Sequence, residues 1–591
     1  MKRFILVLFA IIGVVCLLVL LAGLSVAGLY MAGRGGGGVP SRAILEIDFE
    51  RGILEVAPDD PLGHVFSQDQ LTMRDLVEGL ERAAGDSRVK ALVARVGGSG
   101  IGLAHVQEIR DAVLAFRKSG KKAVAWAETF GEFGPGNGGY YLATAFDTIY
   151  LQPSGDVGLT GLLYETPFVR GTLDKLEVTP RMSQRYEYKN AMNLYTEKAF
   201  TPAHRESLKR VMDSQFEQIV SGVAEARHKS EEEVRGLFDR GPYLGKEALD
   251  AGLVDGLAYR DEVLDALKHE LGEEAKLLYL TKYVKRGGRA WTRGTTIALI
   301  HGDGAVTRGR SGYSVLDGSS TMGSDTLAGA FRAAARDRDV KAIVFRVDSP
   351  GGSYVASDTI WRETLRAKQA GKPVIVSMAN LAGSGGYFVA MDADKIVAEP
   401  GTITASIGVL GGKLITRKFW EKLGITWDGL PTSAHSTMWS SSYDYDEGGW
   451  ERFQAGLDRI YQDFTTKVAE GRKLPLDKVQ QIARGRIWSG ADAKELGLVD
   501  ELGGLSTALR LAREAAGVAA DAPIRVKRFP RERSPLEALF GDDADNSDRT
   551  REAAVEAIRA LQPTLRVLRQ IGLGGSQQAL SMPDSCGWNV R

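Results

Sequence analysis

Cysteine and net charge are the two features that this 591-residue sequence most clearly lacks. Only Cys16 and Cys586 are present, which excludes a disulfide framework and a zinc site built on C-x-x-C pairs. Lys plus Arg and Asp plus Glu both number 75, so no net electrostatic field attracts nucleic acid. We therefore expect no nucleic-acid partner, no metal and no other cofactor.

Nucleotide-binding motifs are missing as well. The sequence has no G-x-x-x-x-G-K-[ST] element, and its glycine-rich loop at 97–102 does not match G-x-G-x-x-G. Nucleotide binding is therefore the weaker interpretation of its glycine-rich turns. The chain is also too long for one hydrophobic core, since single cores stop growing near roughly 250–300 residues, and we expect two or more domains.

One long apolar run opens the sequence. Residues 4–31 contain no charged side chain, and about 20 apolar residues are enough for a helix to cross a membrane. We predict a transmembrane anchor over residues 1–33 and a glycine-rich linker over residues 34–42. Because Lys2 and Arg3 precede the run, the positive-inside rule places the N-terminus in the cytoplasm and the body outside it. The alternative is a signal peptide cleaved at the small residues Ser25-Val26-Ala27.

The second half of the chain repeats the first. Three segments recur in the same order at a nearly constant spacing of roughly 250 residues, which indicates an internal repeat. The matching pairs are 89–96 with 340–347, 137–140 with 384–387, and 251–255 with 496–500. We infer a tandem duplication.

Each half alternates short apolar runs with helical patterns. The runs at 92–96 and 343–347 are typical of buried parallel strands, and residues 73–84 and 355–370 each carry an apolar stripe. This alternation predicts an α/β fold with parallel sheets in two tandem repeats. The predicted domains are an N-terminal repeat at 43–281, a basic linker at 282–295, a C-terminal repeat at 296–515 and a C-terminal extension at 516–591. We expect the extension to contain an amphipathic helix over 551–571 and a disordered end.

Two glycine-containing turns follow strands in the second half. The predicted strand 374–378 leads into a helical pattern and places Ser384 at a helix N-terminus, where the backbone favours negative charge. The N–H groups of Gly385 and of Gly352, which lies in the turn after strand 343–347, are candidate donors to an oxyanion. The pair fits an acyl-transfer site. Small residues in such turns also serve tight packing of strand on helix.

A serine nucleophile needs a base that accepts its proton. None of the seven histidines lies in a turn that the repeat brings to Ser384, and His435 is the remaining histidine candidate. A lysine can replace histidine where burial lowers its pKa, because the neutral amine then accepts the proton. From the residues alone, the identity of the base stays open.

A set of separate motifs carries a resemblance to a known family. The motifs are Ser349-Pro350-Gly351-Gly352-Ser353, Gly383-Ser384-Gly385-Gly386-Tyr387 and Thr404-Ala405-Ser406-Ile407-Gly408. With the duplication and the N-terminal apolar run, residues 43–515 resemble signal peptide peptidase A, long form, a family of bacterial membrane-bound Ser–Lys proteases. The resemblance implies that Ser384 is the nucleophile, that Lys189 is the general base and that Ser406 holds the lysine. It also implies a ClpP/crotonase-like fold for each repeat.

Comparison of the two repeats agrees with this assignment. In the first half Asn137 occupies the position of Ser384, and Asp156 occupies the position of Ser406. In the second half Ser436 stands at the position of Lys189. Each half keeps what the other lacks, so we predict one composite site where the halves meet.

The resemblance implies a serine endopeptidase that degrades cleaved signal peptides and other extended, unfolded apolar peptides. It also implies a single-pass protein of the bacterial inner membrane with a periplasmic catalytic body, assembled as a homo-oligomer, a tetramer in this family. Two other classes stay open: a crotonase-like acyl-CoA enzyme, which shares the paired-glycine turns, and a non-catalytic assembly scaffold. An extracytoplasmic location argues against the former because CoA would be absent there.

Overall fold

The computed structural model describes residues 38–57, 70–98, 100–314, 318–519 and 521–531. The predicted transmembrane anchor, residues 34–37 of the glycine-rich linker and the amphipathic helix predicted at 551–571 lie outside these residues. Within the described part of the chain, no helix is both long and apolar enough to cross a membrane.

A parallel sheet of six strands forms the centre of the first half. In spatial order its strands are Gly256–Leu257, Thr148–Leu151, Lys122–Ala127, Val89–Arg95, Ala43–Asp48 and Lys276–Tyr279. All neighbouring pairs run parallel. The central strands are buried on both faces, which explains why their sequences are nearly continuous apolar runs.

The second half contains a sheet of eight strands. Its main path is Ile487–Ser489, Ile403–Ala405, Val374–Gly383, Val340–Ser349, Thr295–Asp303 and Ile524–Phe529, with Lys395–Ala398 and Glu501–Leu502 branching from Val374–Gly383. The pairs run parallel except the one between Ile487–Ser489 and Ile403–Ala405. The prediction of an α/β fold with parallel sheets is confirmed.

Two strands of this sheet extend beyond their apolar runs. The strand predicted at 343–347 spans Val340–Ser349, and the one predicted at 374–378 spans Val374–Gly383. Pairing continues as far as Ser349 opposite Ala382. The strands therefore deliver both glycine turns to the same edge of the sheet, side by side.

Helices cover the sheets. In the first half they are Met73–Gly85, Leu103–Arg117, Asn137–Ala143, Arg170–Lys175, Asn193–Thr196, Pro202–Arg227, Glu231–Arg240, Gly245–Asp250, Arg260–Leu271 and Leu280–Gly287, with 3₁₀ turns at Phe49–Arg51 and Asn190–Met192. In the second half they are Ser324–Arg336, Tyr354–Gln369, Gly385–Phe388, Arg417–Lys422, Glu447–Arg472, Leu476–Ile482, Gly490–Glu495 and Leu505–Ala515. Short strands pair outside the main sheets: Ile53–Leu54 with Leu71–Thr72, Asp156–Val157 with Tyr243–Leu244, Thr179–Arg185 with Val409–Ile415, and Ala305–Thr307 and Gly312–Tyr313 with Ser320–Gly323.

The longest helix of each half shows the duplication in structural form. Pro202–Arg227 and Glu447–Arg472 both contain 26 residues. Each begins after a side chain that caps a backbone N–H of the first turn, and each ends at a left-handed residue, His228 or Lys473. Equivalent start and stop signals thus produce equivalent helices in the two repeats.

The helix Leu103–Arg117 of the first half docks against the second half. Its Glu108 carboxylate lies 2.6 Å from the Arg346 guanidinium and accepts a hydrogen bond of 2.7 Å from the Leu505 N–H. Arg346 also donates to Glu55 at 2.9 Å. Arg346 is only 1% exposed, so two carboxylates of the first half compensate a charge buried in the second.

Two segments that the sequence assigns to the periphery contain regular structure. The basic linker predicted at 282–295 includes most of the helix Leu280–Gly287, whose Tyr283 side chain is fully buried. The predicted C-terminal extension contributes Ile524–Phe529, which pairs with Thr295–Asp303 in the second sheet. The domain boundaries themselves stay a prediction.

Replacing Glu108 with alanine should destabilise the folded chain by about 3–5 kcal/mol, because it leaves the buried Arg346 charge undercompensated. Denaturant unfolding of the full-length chain measures the effect. Glu270→Ala is the matched control: Glu270 pairs with Lys122 at 2.6 Å but is 52% exposed, and its loss should cost at most about 1 kcal/mol. Equal losses in the two variants would contradict this role of the buried pair.

Candidate active site

Ser384 stands at the end of a central strand in a strained conformation. Its backbone angles are φ 54° and ψ −112°, and its N–H donates to the Ala405 carbonyl at 2.7 Å. A non-glycine residue at such angles costs on the order of 1–3 kcal/mol and persists only where the surroundings impose it. The turn thus presents a buried hydroxyl at the start of the helix Gly385–Phe388.

One glycine in each turn, Gly385 after Ser384 and Gly351 in the other turn, allows the two turns to approach closely. A Cβ atom on Gly385 would lie 2.7 Å from the Ser357 hydroxyl and 3.0 Å from the Gly352 nitrogen. A Cβ atom on Gly351 would lie 2.6 Å from the Gly385 nitrogen. The Gly352 and Gly385 nitrogens therefore lie at one edge of the site, and among the described residues neither has a hydrogen-bond acceptor. Both N–H groups can donate to an oxygen of a bound molecule.

Lys189 reaches this site from the first half. The strand Thr179–Arg185 that precedes it pairs antiparallel with Val409–Ile415 of the second half. The N–H groups of Tyr186 and Tyr188 then both donate to the Arg484 carbonyl, at 3.1 and 3.2 Å. The second half therefore fixes the backbone that carries the lysine.

Gly485 makes room for the lysine. Its φ is +84°, and a Cβ atom there would lie 2.4 Å from the Lys189 Cβ. Both the backbone angle and the contact exclude a larger residue. Lys189 is consequently packed against the second half and is 1% exposed.

The lysine amine contacts three oxygen atoms. Lys189 Nζ lies 2.7 Å from Ser384 Oγ, 2.9 Å from the Ser406 carbonyl oxygen and 3.0 Å from Ser406 Oγ. A neutral amine can donate its two hydrogens to Ser406 and direct its lone pair to the Ser384 hydroxyl. The three side chains named from the sequence are thus brought together.

Burial changes the protonation of this amine. It lowers the pKa of Lys189 from its ordinary 10.5 to about 7. Among the described residues no charged group acts against this effect, so desolvation alone sets the direction of the pKa shift. A substantial fraction of Lys189 is therefore neutral near pH 7 and able to accept a proton.

Ser406 occupies its own constrained turn. Its φ is +51°, and its N–H donates to the Arg486 carbonyl at 2.9 Å. This turn follows the strand Ile403–Ala405, whose last residue accepts the N–H of Ser384. One short segment thus holds both the serine backbone and the lysine amine.

The corresponding position of the first half is filled by a structural amide. Asn137 is 2% exposed; its side chain donates to the Gly161 carbonyl at 2.7 Å and accepts from the Thr160 N–H at 3.0 Å. Asp156 lies in the short strand Asp156–Val157, where its carboxylate accepts from Thr129. The first half brings no hydroxyl and lysine together at this place.

The remaining candidates lie elsewhere. His435 has a side chain that is 47% exposed and contacts Asp446 at 3.4 Å. Ser436 contacts the hydroxyl of Ser433 at 2.9 Å in the same exposed loop. Neither His435 nor Ser436 contacts Ser384, which is fully buried and is contacted by Lys189.

Sequence reasoning missed the charged residues just behind the two glycine turns. Arg346 interrupts the apolar strand Val340–Ser349, and Asp348 lies near the end of the same strand, three residues before Gly351. A lone arginine within a buried strand was the available signal, because such a charge requires buried partners. Its partners come from the other half, at positions that no local pattern marks.

Comparison with known proteins gives consistent matches. The profile described as Peptidase family S49 matches residues 115–274 and 366–519, one segment in each half. Serine protease SPPA, chloroplastic, of Arabidopsis thaliana is 31% identical over 501 residues, covering 83% of this chain and 72% of that protein. Protease 4 of Salmonella typhi is 33% identical over 468 residues, covering 76% and 73%. The putative signal peptide peptidase SppA of Enterococcus faecium is 35% identical over 167 residues, covering 28% and 48%.

Lys189→Met should flatten the dependence of stability on pH. Between pH 7 and 10.5 the unfolded chain binds a proton at Lys189 that the folded chain excludes, so the free energy of unfolding of the parent should rise with pH in this window. The variant lacks this contribution. Denaturant unfolding at pH 6, 8 and 10 measures the slopes, with Lys246→Met, whose side chain is 80% exposed, as control. A variant slope equal to the parent's would exclude a buried neutral lysine.

Proposed function

The chain belongs to peptidase family S49 and is a serine protease, and we propose that Ser384 and Lys189 are its catalytic dyad. The observation that carries the proposal is the 2.7 Å contact between the buried lysine amine and the serine hydroxyl. Nucleophile and base lie within hydrogen-bond reach, and the pKa of the base lies near neutrality.

In the proposed reaction the neutral amine of Lys189 removes the Ser384 hydroxyl proton as Oγ attacks the peptide carbonyl. The Gly352 and Gly385 N–H groups donate to the developing oxyanion. The protonated lysine then gives its proton to the leaving amine, which completes the acyl-enzyme. Lys189 next activates a water molecule that attacks the ester, and the serine hydroxyl is restored.

Ser406 supports this cycle by fixing the amine. Two acceptors, the Ser406 carbonyl and hydroxyl oxygens, engage the amine hydrogens and leave the lone pair for Ser384. The same oxygens accept from the transient ammonium, which has no carboxylate partner. Ser406 thus limits the rotation of Nζ without raising its pKa as strongly as a carboxylate would.

Extended apolar peptides, including cleaved signal peptides, are the proposed substrates. Ser384 is 0% and Lys189 1% exposed, so a folded protein surface cannot reach them, and we propose that the substrate is a single extended chain. Because no ionisable side chain among the described residues pairs with the amine, apolar segments are favoured over charged ones. The resemblance of the site motifs to signal peptide peptidase A supports the same class.

Each half is proposed to have the ClpP/crotonase-like architecture, in which such paired turns form an oxyanion hole. An acyl-CoA reaction is the alternative for this architecture, and a non-catalytic scaffold is another. The assignment to a protease family disfavours both. A homo-tetramer stays a prediction, which sedimentation of the solubilised chain tests.

Ser384→Ala and Lys189→Ala should each lower peptidase kcat/KM by ~1000-fold or more, because the dyad acts as a unit. Cleavage of a quenched fluorescent apolar peptide by the detergent-solubilised full chain measures the loss. His435→Ala is the matched control and should keep the parent rate. If activity survives in Lys189→Ala and disappears in His435→Ala, the base is His435 and not Lys189.

A second readout separates catalysis from scaffolding. A fluorophosphonate probe should form an adduct on Ser384 of the parent, detected by mass spectrometry of the peptide, and none on Ser384→Ala. Lys189→Ala should be labelled far more slowly, since its hydroxyl is not activated. If the probe forms no adduct with the parent, the hypothesis of a non-catalytic scaffold is supported.

We also propose that residues 1–33 anchor the chain in the bacterial inner membrane with the catalytic body in the periplasm. The full-length chain should stay with membranes after an alkaline carbonate wash. Protease added to spheroplasts should digest the catalytic body from outside. Release by carbonate would favour a cleaved signal peptide, and protection from digestion would reverse the topology.

A further inference from the structure

His105 of the first half lies between the two active-site turns of the second. It is near the start of the helix Leu103–Arg117, which docks across the interface between the halves. On one side it meets Asn380, which lies four residues before Ser384 in the same segment. On the other it faces Asp348, which lies four residues before Gly352. No part of the proposed reaction uses this histidine.

The contact with Asn380 has two components. The Asn380 side-chain oxygen accepts the His105 backbone N–H at 3.1 Å, and its Nδ2 lies 2.6 Å from His105 Nδ1. The backbone N–H can only donate, which fixes the orientation of the amide and makes Nδ2 the donor to the ring. Nδ1 is therefore the acceptor, and the proton of the neutral ring is on Nε2.

The absence of a side chain at Gly102 allows the start of the helix to approach the Asn380 side chain closely. A Cβ atom on Gly102 would lie 2.4 Å from the Asn380 side-chain oxygen. The helix N-terminus therefore abuts the amide directly. Asn380 cannot move toward the first half, and the segment that ends in Ser384 is held from behind.

Asp348 connects the histidine to the oxyanion turn. Its Oδ1 accepts the Leu381 N–H at 2.9 Å, which ties the strand before Gly352 to the strand before Ser384. Its Oδ2 lies 3.9 Å from His105 Nε2. The ring therefore lies beside both strands at the point where the hydrogen bond between Leu381 and Asp348 joins them.

The first half also fixes the ring itself. His105 Nε2 lies 2.9 Å from Glu55 Oε2, and Glu55 is in turn held by Arg346 at 2.9 and 3.1 Å. The ring has a partner on each nitrogen and is 7% exposed. Its position is therefore defined by both halves of the chain.

We propose that His105 is a positioning residue that holds the serine turn and the oxyanion turn in register across the interface between the halves. It acts through Asn380 on the segment of Ser384 and stands against Asp348 on the segment of Gly352. The proposal rests on the proposed dyad and oxyanion donors, and concerns how their spacing is maintained. Small displacements of such groups are costly to the chemical step, so the effect belongs mainly to kcat.

Protonation of the ring should weaken this arrangement. An added proton on Nδ1 would face the Asn380 N–H donor and break the 2.6 Å contact. The charged groups that face the ring are the carboxyls of Glu55, Asp348 and Asp303 and the guanidinium of Arg346. Although burial lowers the pKa of His105, Glu55 and then Asp348 outweigh burial and raise it above 6.5.

Two substitutions separate the contacts of the ring. In His105→Asn the new side-chain oxygen can accept from Asn380 in place of Nδ1. In His105→Gln the new side-chain amide can donate to Glu55 in place of Nε2. We expect His105→Gln to lower kcat by roughly 10- to 100-fold with KM little changed. We expect His105→Asn to stay nearer the parent, because the acceptor for Asn380 is kept. His269→Gln, at an exposed helix end, is the control and should match the parent.

The pH profile gives an independent readout. As the pH is lowered, kcat of the parent should fall more steeply than kcat of His105→Asn, because protonation removes the Nδ1 acceptor of the parent whereas the asparagine amide does not titrate. A parent profile that falls no more steeply than that of His105→Asn, or kcat equal to the parent in both variants, would overturn the proposal. So would His105→Asn being less active than His105→Gln, because the Asn380 route would then be excluded.

Thermal unfolding of the same variants distinguishes positioning from loss of fold. Equal losses of kcat and of thermal stability in both variants, with pH profiles as steep as that of the parent, would reduce His105 to a structural residue and overturn the proposal. Labelling of Ser384 by the fluorophosphonate probe separates this failure from failure of the dyad. A parent that labels, with variants that label at the same rate, rejects the role of His105 alone; a parent that does not label rejects the dyad.

Discussion

The burial of the Lys189 amine, which has no charged partner among the described residues, is the interaction on which the candidate active site depends. An ammonium in this environment loses its hydration and gains only neutral acceptors, so the folded chain favours the uncharged form. Everything around it serves to exclude water: a glycine that admits the lysine backbone, a turn with a left-handed serine, and a strand pairing between the halves. If water reached the amine, the pKa of Lys189 would return toward its ordinary 10.5.

The composite nature of the site could be predicted because the chain provides its own comparison. The repeats show Asn137 at the position of Ser384, whereas Lys189 was named through the family resemblance and the repeats then showed Ser436 at its position in the second half. The structure brings Ser384 and Lys189 together and shows that Asn137 fills its own turn with hydrogen bonds. The duplication followed from the three matching segments, and the α/β class followed from the alternation of apolar runs with helical patterns, since parallel strands buried on both faces are apolar throughout.

Other features could not be predicted because they depend on contacts between distant segments. The strand ends that carry both turns are small or polar, so the apolar pattern stopped short of Ser349 and Gly383. The helix Leu280–Gly287 was hidden by its basic residues, although Leu280, Tyr283 and Val284 are buried. Gly485 is unremarkable in sequence, and its purpose appears only where the backbone of Lys189 crosses it.

The order of the site residues along the chain has a consequence for biosynthesis. A ribosome completes Lys189 long before Ser384, and Gly485, against which the lysine packs, emerges later still. In the proposed mechanism, a growing chain therefore has the base before the nucleophile, and it has both before the residue that packs against the base. Hydrolysis by the proposed dyad can begin only after Gly485 has been made and the two halves have paired.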